Sequence, residues 1–232
     1  NTLGGAYIAT QTQPVVVKNN VFDMSTHKDI AVLEIHCGYG NNPVLTVNDN
    51  IIDLNDSDDS LSGLRFGGWC GDTSEVKNNR IIGGSYGMYA KGLVGPNIAS
   101  NIIEGADVGI EIYDGGNQFT NLRNTIKDTK IALNFRYIYW GKRISEDYSI
   151  QTGQGMIWKG PTISNMNMLR VAPAVLLEDF NSDLTIPILD SFWGTTDLET
   201  IGILITDNAD DYTLGTVSVV NPVSALIDIS ID

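Results

Sequence analysis

One short pattern recurs along this chain and constrains the fold more than any other feature. It reads apolar, two residues, Asn, one residue, apolar. The copies are Val17-Lys-Asn-Asn20-Val-Phe22, Val47-Asn-Asp-Asn50-Ile-Ile52, Val76-Lys-Asn-Asn79-Arg-Ile81 and Ile98-Ala-Ser-Asn101-Ile-Ile103. A fifth, Leu122-Arg-Asn124-Thr-Ile126, is one residue short. A second pattern follows each anchor: small or apolar, apolar, variable, apolar. It appears as Val32-Leu-Glu-Ile35, Gly63-Leu-Arg-Phe66, Gly87-Met-Tyr-Ala90, Gly109-Ile-Glu-Ile112 and Ala132-Leu-Asn-Phe135. Alternation of this kind has period 2, so both patterns are strands. Two short strands cannot bury a core alone, but stacked coil upon coil they can. Gly and Asn supply the left-handed corners that such coils need. The recurrent Asn is expected to stack as an amide ladder at one corner.

The stacked register predicts an interior lined by Ile51, Ile81, Ile102, Ile126, Leu64, Met88, Ile110 and Leu133. It also aligns the side chains that point outward. One column is Glu34, Arg65, Tyr89, Glu111 and Asn134. The next, two residues on, is His36, Gly67, Lys91, Tyr113 and Arg136. Neighbouring rungs lie about 4.8 Å apart, within mutual reach. Rings, amides and cations in one strip suit sugar recognition. The plainer alternative is a solvated sheet face with weak cross-strand pairs.

These repeats resemble those of right-handed parallel β-helix proteins of the pectate-lyase-like type, over residues 15–136. A second likeness lies in Ile188-Leu-Asp-Ser-Phe-Trp-Gly-Thr-Thr-Asp197, followed by Ile201, Ile205 and Asp207. It resembles the N-x-W-G-T-x-D segment that ends β-helix domains in many secreted bacterial proteins. Residues 198–206 suit a short amphipathic helix with Leu198, Ile201 and Ile205 on one face. It would cap the open end of the solenoid over residues 188–211, with Trp193 folded onto the core. The expectation is therefore an all-β, right-handed parallel β-helix with a short C-terminal capping helix. It is read as one domain over 1–232, with an irregular aromatic excursion at 137–160, and as a piece of a larger protein.

Composition narrows the function. The chain has 232 residues, 28 acidic against 14 basic, and a formal net charge of −14. Such a chain repels phosphate backbones, which argues against nucleic acid. No apolar run is long enough to span a bilayer, so no membrane insertion is expected. The expected location is extracellular or at the cell surface. The leading reading is a recognition or scaffold module facing polysaccharide. The resemblance also implies a polysaccharide lyase or hydrolase as an alternative, and a phage tail-spike or adhesin β-helix as a third. For a lyase, Lys91, Tyr113 and Arg136 would supply cation, base and acid for β-elimination. For binding, the residues are Glu34, His36, Arg65, Tyr89, Lys91, Glu111, Tyr113, Asn134 and Arg136. No carboxylate pair among Glu104, Asp107 and Asp114 can be set at a glycosidase separation from sequence.

No cofactor is expected apart from one candidate ion. Asp53, Asp56, Asp58 and Asp59 offer the hard oxygen ligands of Ca²⁺, although a solvated acidic loop explains them as simply. Cys37 and Cys70, the only two cysteines, leave adjacent coils at similar points. They form either a bridge, which an extracellular location permits, or two separate buried thiols.

Overall fold

The computed structural model describes residues 2–3, 6–10, 12–23, 31–38, 43–54, 61–71, 73–94, 96–113, 121–138, 163–164, 166–169, 173–180 and 185–227. Among them the strands gather into two parallel sheets, one of 13 strands and one of eight. The eight-stranded sheet stacks Ala6–Thr10, Ala31–Cys37, Ser62–Trp69, Tyr86–Val94, Val108–Tyr113, Ile131–Ile138, Val175–Phe180 and Ile205–Thr206. The chain alternates between the two sheets, so sequential coils stack in order. This is the right-handed parallel β-helix expected from the repeats, the hand being that of parallel crossovers generally.

The corner between the two strands of the first pattern explains why Asn recurs. The side chains of Asn50, Asn79, Asn101 and Asn124 are at most 1% exposed. Each rung binds the next twice. Asn50 donates from its backbone N and its Nδ2 to Asn79 Oδ1, at 3.1 and 2.9 Å. Asn79 treats Asn101 Oδ1 the same way at 2.9 and 2.9 Å, and Asn101 treats Asn124 Oδ1 at 3.1 and 2.8 Å. Asn20 opens the ladder onto Asn50 at 3.1 Å. The residue just before the anchor turns the corner in the left-handed region: Asn19, Asp49, Asn78 and Ser100, at φ 56–60°. The shortened fifth copy lacks this residue. The pairing of Asn97–Glu104 with Asn121–Lys127 therefore shifts register between Ala99 and Ile102. Beyond Asn124 the ladder changes chemistry: Asn124 N donates to Met166 Sδ at 3.1 Å, and Met166 N to Ser191 Oγ at 3.1 Å. Ser191 thus keeps the corner bond where the resembled segment has Asn.

Because each anchor faces inward, alternation restarts from it. The residue after Asn points out and the next points in. The interior column is therefore Phe22, Ile52, Ile81, Ile103 and Ile126, all 0–1% exposed. Ile81 and Ile126 were expected there. Ile51 and Ile102 were not placed correctly: Ile51 is 44% exposed and Ile102 half-buried, each one residue out of register. Opposite, Leu64, Met88, Ile110 and Leu133 line the second sheet's inner face as expected, all 0–1% exposed. The glycine that opens three copies of the second pattern sits where an isoleucine of the other sheet and a neighbouring strand's carbonyl leave no room for a side chain. A Cβ at Gly109 would lie 2.6 Å from Ile126 Cγ2 and 2.7 Å from the Ala132 carbonyl oxygen.

At the C-terminal end Trp193 is 4% exposed and joins the core, and Gly194 takes φ +85° to turn the chain. Helix α1, Leu198–Ile203, follows, with Asp197 capping its N-terminus. Ile201 is its buried residue. Two details differ from expectation. Leu198 is 60% exposed: it is the first residue of a helix of about one and a half turns whose buried residue is Ile201. Ile205 is buried as a strand residue, pairing with Val175 in the second sheet, rather than as helix. Cys37 and Cys70 are bridged, with a Cα separation of 5.3 Å. The expected excursion lies outside the described residues from 139 onward, as do Asp56, Asp58, Asp59 and Asp114. Asp53 ends the strand Ile51–Asp53.

Candidate functional site

The strands of the second sheet put the two outward columns in the register read from sequence. Glu34, Arg65, Tyr89, Glu111 and Asn134 are successive partners, continued by Leu176. His36, Gly67, Lys91, Tyr113 and Arg136 are likewise successive, continued by Glu178. All the residues proposed for binding therefore share one face, and Lys91, Tyr113 and Arg136 occupy consecutive rungs.

The face divides along its length. At the N-terminal end Glu34 collects the neighbouring charges. Its Oε1 lies 2.8 Å from His36 Nε2 and 3.5 Å from Arg65 Nε. In the middle the aromatic residues meet. Tyr89 and Tyr113 stack with centroids 5.9 Å apart, and Tyr86 meets Tyr89 edge-on at 5.7 Å. Arg65 and Lys91 lie over the Tyr89 and Tyr113 rings, 5.0 and 5.4 Å from the centroids. Lys91 is exposed and has no carboxylate partner among the described residues. At the far end Glu178 accepts from Asn134 Nδ2 at 2.9 Å and lies 3.6 Å from Arg136 Nε.

One expectation about this face needs correction. Glu111 and Asn134 were read as exposed; they point away from the core but are 1% and 5% exposed. They sit under a layer of tyrosine and long side chains, because bulky neighbours at this spacing cover the shorter residue between them. Among the described residues, Glu111 Oε2 and Asn134 Oδ1 have no hydrogen-bond partner. Burial pushes the Glu111 carboxyl up to about 7. The Arg136 charge and an amide bond from Asn134 oppose the rise, and the Glu178 charge adds to it. Burial likewise pushes the Tyr89 hydroxyl up to about 12 and raises that of Tyr86.

Two residues were missed from sequence. Tyr86, at the start of the strand Tyr86–Val94, is half-buried and meets the ring of outward-facing Tyr89, a contact that alternation alone does not reveal. Glu178 extends the second column, which the strand at Val175–Phe180 would have revealed had it been aligned with Arg136. Among the described residues no group of three or more His, Cys, Asp or Glu side chains is placed to hold a metal.

Stacked parallel coils, an inward amide ladder and a bridged cysteine pair define an exported parallel β-helix protein. Residues 2–148, more than half of the chain, match the family described as "Periplasmic copper-binding protein (NosD)", and the chain belongs to that family. The periplasmic assignment of the family agrees with the extracellular or surface location expected from sequence, as does the disulfide. No helix among the described residues is long and apolar enough to cross a membrane. Neither a curated protein nor a solved structure matches the chain.

Proposed function

We propose that this chain is an extracellular β-helix recognition module and that the outward face of its second sheet, from Arg65 to Glu178, receives polysaccharide. The observation that carries the reading is the centre of the face. Two stacked tyrosines stand beside Lys91, a cation that no described carboxylate neutralises, in a chain of net charge −14. Tyrosine presents an apolar ring with a polar tip, and amides and cations bond hydroxyls and carboxylates. A flat sheet with rungs about 4.8 Å apart offers an extended chain repeated contacts.

The consecutive Lys91, Tyr113 and Arg136 favour β-elimination as a second reading. In it Lys91 and Arg136 would neutralise a uronate carboxylate and Tyr113 would take or return the proton.

Copper, which the family's description names, does not suit the donors described here. Copper takes thiolate, thioether or imidazole. Cys37 and Cys70 are bonded to each other; Met88, Met166 and Met168 are buried in the core; His36 is bonded to Glu34.

The test is a panel of neutral and acidic polysaccharides, assayed by binding and by ultraviolet detection of unsaturated product. Tyr113→Ala should weaken binding about tenfold or more, as loss of an aromatic contact does, with melting little changed. Binding that survives both Tyr89→Ala and Tyr113→Ala would move the site elsewhere. Unsaturated product that disappears with Lys91→Ala would establish the lyase.

A further inference from the structure

Tyr7 is 67% exposed on the strand Ala6–Thr10 and has no place in the recognition reading so far. That strand pairs with Ala31–Cys37 so that Tyr7 stands beside Glu34, at the head of the outward column that continues through Arg65 to Tyr89. Its ring meets His36, with centroids 5.8 Å apart and planes tilted by 42°. His36 in turn lies over the next rung, where its column carries Gly67. A Cβ there would fall 2.9 Å from His36 Nδ1 and 3.2 Å from the Lys91 carbonyl oxygen. The missing side chain is the room that the imidazole occupies. The face therefore carries two groups of rings, Tyr7 with His36 and Tyr89 with Tyr113. Tyr7 and Tyr89 are three rungs apart, about 14 Å. We propose that the polysaccharide is acidic and lies along the solenoid axis, touching the Tyr7 and His36 rings at one end and placing a carboxylate on Lys91, beside Tyr113, at the other.

The proposal rests on the recognition reading and adds a ligand class, a direction and a further contact on the first coil. The direction follows from the columns. A chain laid across the strands would meet only the two columns of any one coil, whereas a chain along the axis meets a side chain on every rung. The ligand class follows from the charges. Glu34 Oε1 lies 2.8 Å from His36 Nε2 and 3.5 Å from Arg65 Nε, so that carboxylate is shared within the face. Lys91 is exposed and has no carboxylate partner among the described residues. Glu111, beneath the tyrosines, is 1% exposed and does not reach the surface that a ligand would follow. Arg136, on the rung after Tyr113, is engaged by Glu178, and the proposed contacts stop short of it. A net charge of −14 repels an acidic chain from the protein at large, so the register of such a ligand is set at Lys91.

The experiment measures binding of oligogalacturonates from dimer to octamer, or of the oligomers of whichever acidic polysaccharide the panel binds more tightly. Their fully methyl-esterified forms serve as the neutral series, at fixed pH and ionic strength. Wild-type affinity should climb with length until the oligomer spans the strip from Lys91 to Tyr7. Tyr7→Ala should weaken the octamer about tenfold and leave the dimer unchanged, because a dimer held at Lys91 does not reach a ring about 14 Å away. Lys91→Ala should weaken every length and flatten the dependence on salt. Tyr7 is exposed, so its truncation should leave melting unchanged and the affinities comparable. A Tyr7→Ala effect that is equal at all lengths, or absent at all of them, would overturn the axial placement. Equal binding of the esterified series, or a panel that binds only neutral polysaccharide, would overturn the acidic ligand. Failure of every polysaccharide in the wider panel would overturn the recognition reading itself, a distinct result.

Discussion

Two columns of this solenoid have the same spacing and opposite logic. At the corner, Asn20, Asn50, Asn79, Asn101 and Asn124 repeat one residue on every rung. On the outer face of the second sheet, Glu34, Arg65, Tyr89, Glu111 and Asn134 put a different residue on each neighbouring rung. Identical amides satisfy one another: from Asn50 to Asn124 each Oδ1 accepts two bonds from the rung before it, and each Nδ2 also reaches a backbone carbonyl, as Asn79 does to Val47 O at 2.8 Å. Those four amides are committed to the ladder. Among the described residues, the unlike rungs leave capacity unspent, in one oxygen each of Glu111 and Asn134 and in Lys91. Repetition stabilises the coil, and departure from it marks where the coil meets something else.

The outer face of the longer sheet sharpens the contrast. Glu104 there pairs with both Arg80, at 2.5 Å, and Lys127, so its charges close on themselves. Burial works against the Glu104 carboxylate, yet these two cations hold it below its usual range.

Breaking the comparison at its structural end should have the largest effect. Asn79→Ala takes the acceptor from the buried Asn50 backbone N–H, one of three partners from Asn50 Nδ2, and the side-chain donors from Val47 O and Asn101 Oδ1, and should cost about 3–5 kcal/mol in denaturant unfolding. Trp193→Ala should cost a similar ~3–5 kcal/mol by opening the end of the core. Neither change should alter ligand affinity of the protein that remains folded.

The disulfide comes next. It closes a separation of 33 residues, and Cys37→Ser with Cys70→Ser should lower stability by about 2–4 kcal/mol. A wild-type protein whose midpoint is insensitive to reductant would show that stacking alone fastens these coils.

Glu111 should move stability with pH. Its carboxyl is raised from the ordinary 4.5 to about 7 in the folded protein. The stability associated with the neutral acid is complete below about pH 4.5 and is lost as pH climbs through 7, by about 2–3 kcal/mol. Glu111→Gln should remove that slope, read as melting temperature against pH in both proteins.

The smallest effect belongs to the closed charges. Glu104→Gln should cost about 1 kcal/mol or less and leave binding untouched, since partly exposed pairs contribute little. A large loss there would mean that the two outer faces do not differ as argued.

Much of this was legible in the residues. The Asn spacing carried the parallel coils and the corner ladder, and the second pattern carried the register of both outward columns. That worked because a solenoid makes neighbours in space out of residues one repeat apart, so alignment of the chain with itself is a contact map. Ile51 and Ile102 escaped because both positions after each anchor are apolar there, and only the inward turn of Asn decides which one follows it into the core. Leu198 escaped because a helix of one and a half turns need not bury its whole apolar face.

What sequence determined by itself was therefore the repeating part: strands, coils, corner amides and the order of the outward side chains. Tertiary structure alone decided the burial of Glu111 and Asn134, the extension of the site to Glu178 and the bridging of Cys37 to Cys70. The physical reason is common to all three. Period and spacing fix which way a side chain points, but whether water reaches it, and which charge stands beside it, depends on the bulk of neighbours from other coils. For Glu111 those neighbours are Tyr89 one rung before and Asn134 one rung after, and their packing turns an ordinary surface carboxylate into an acid that titrates near neutrality.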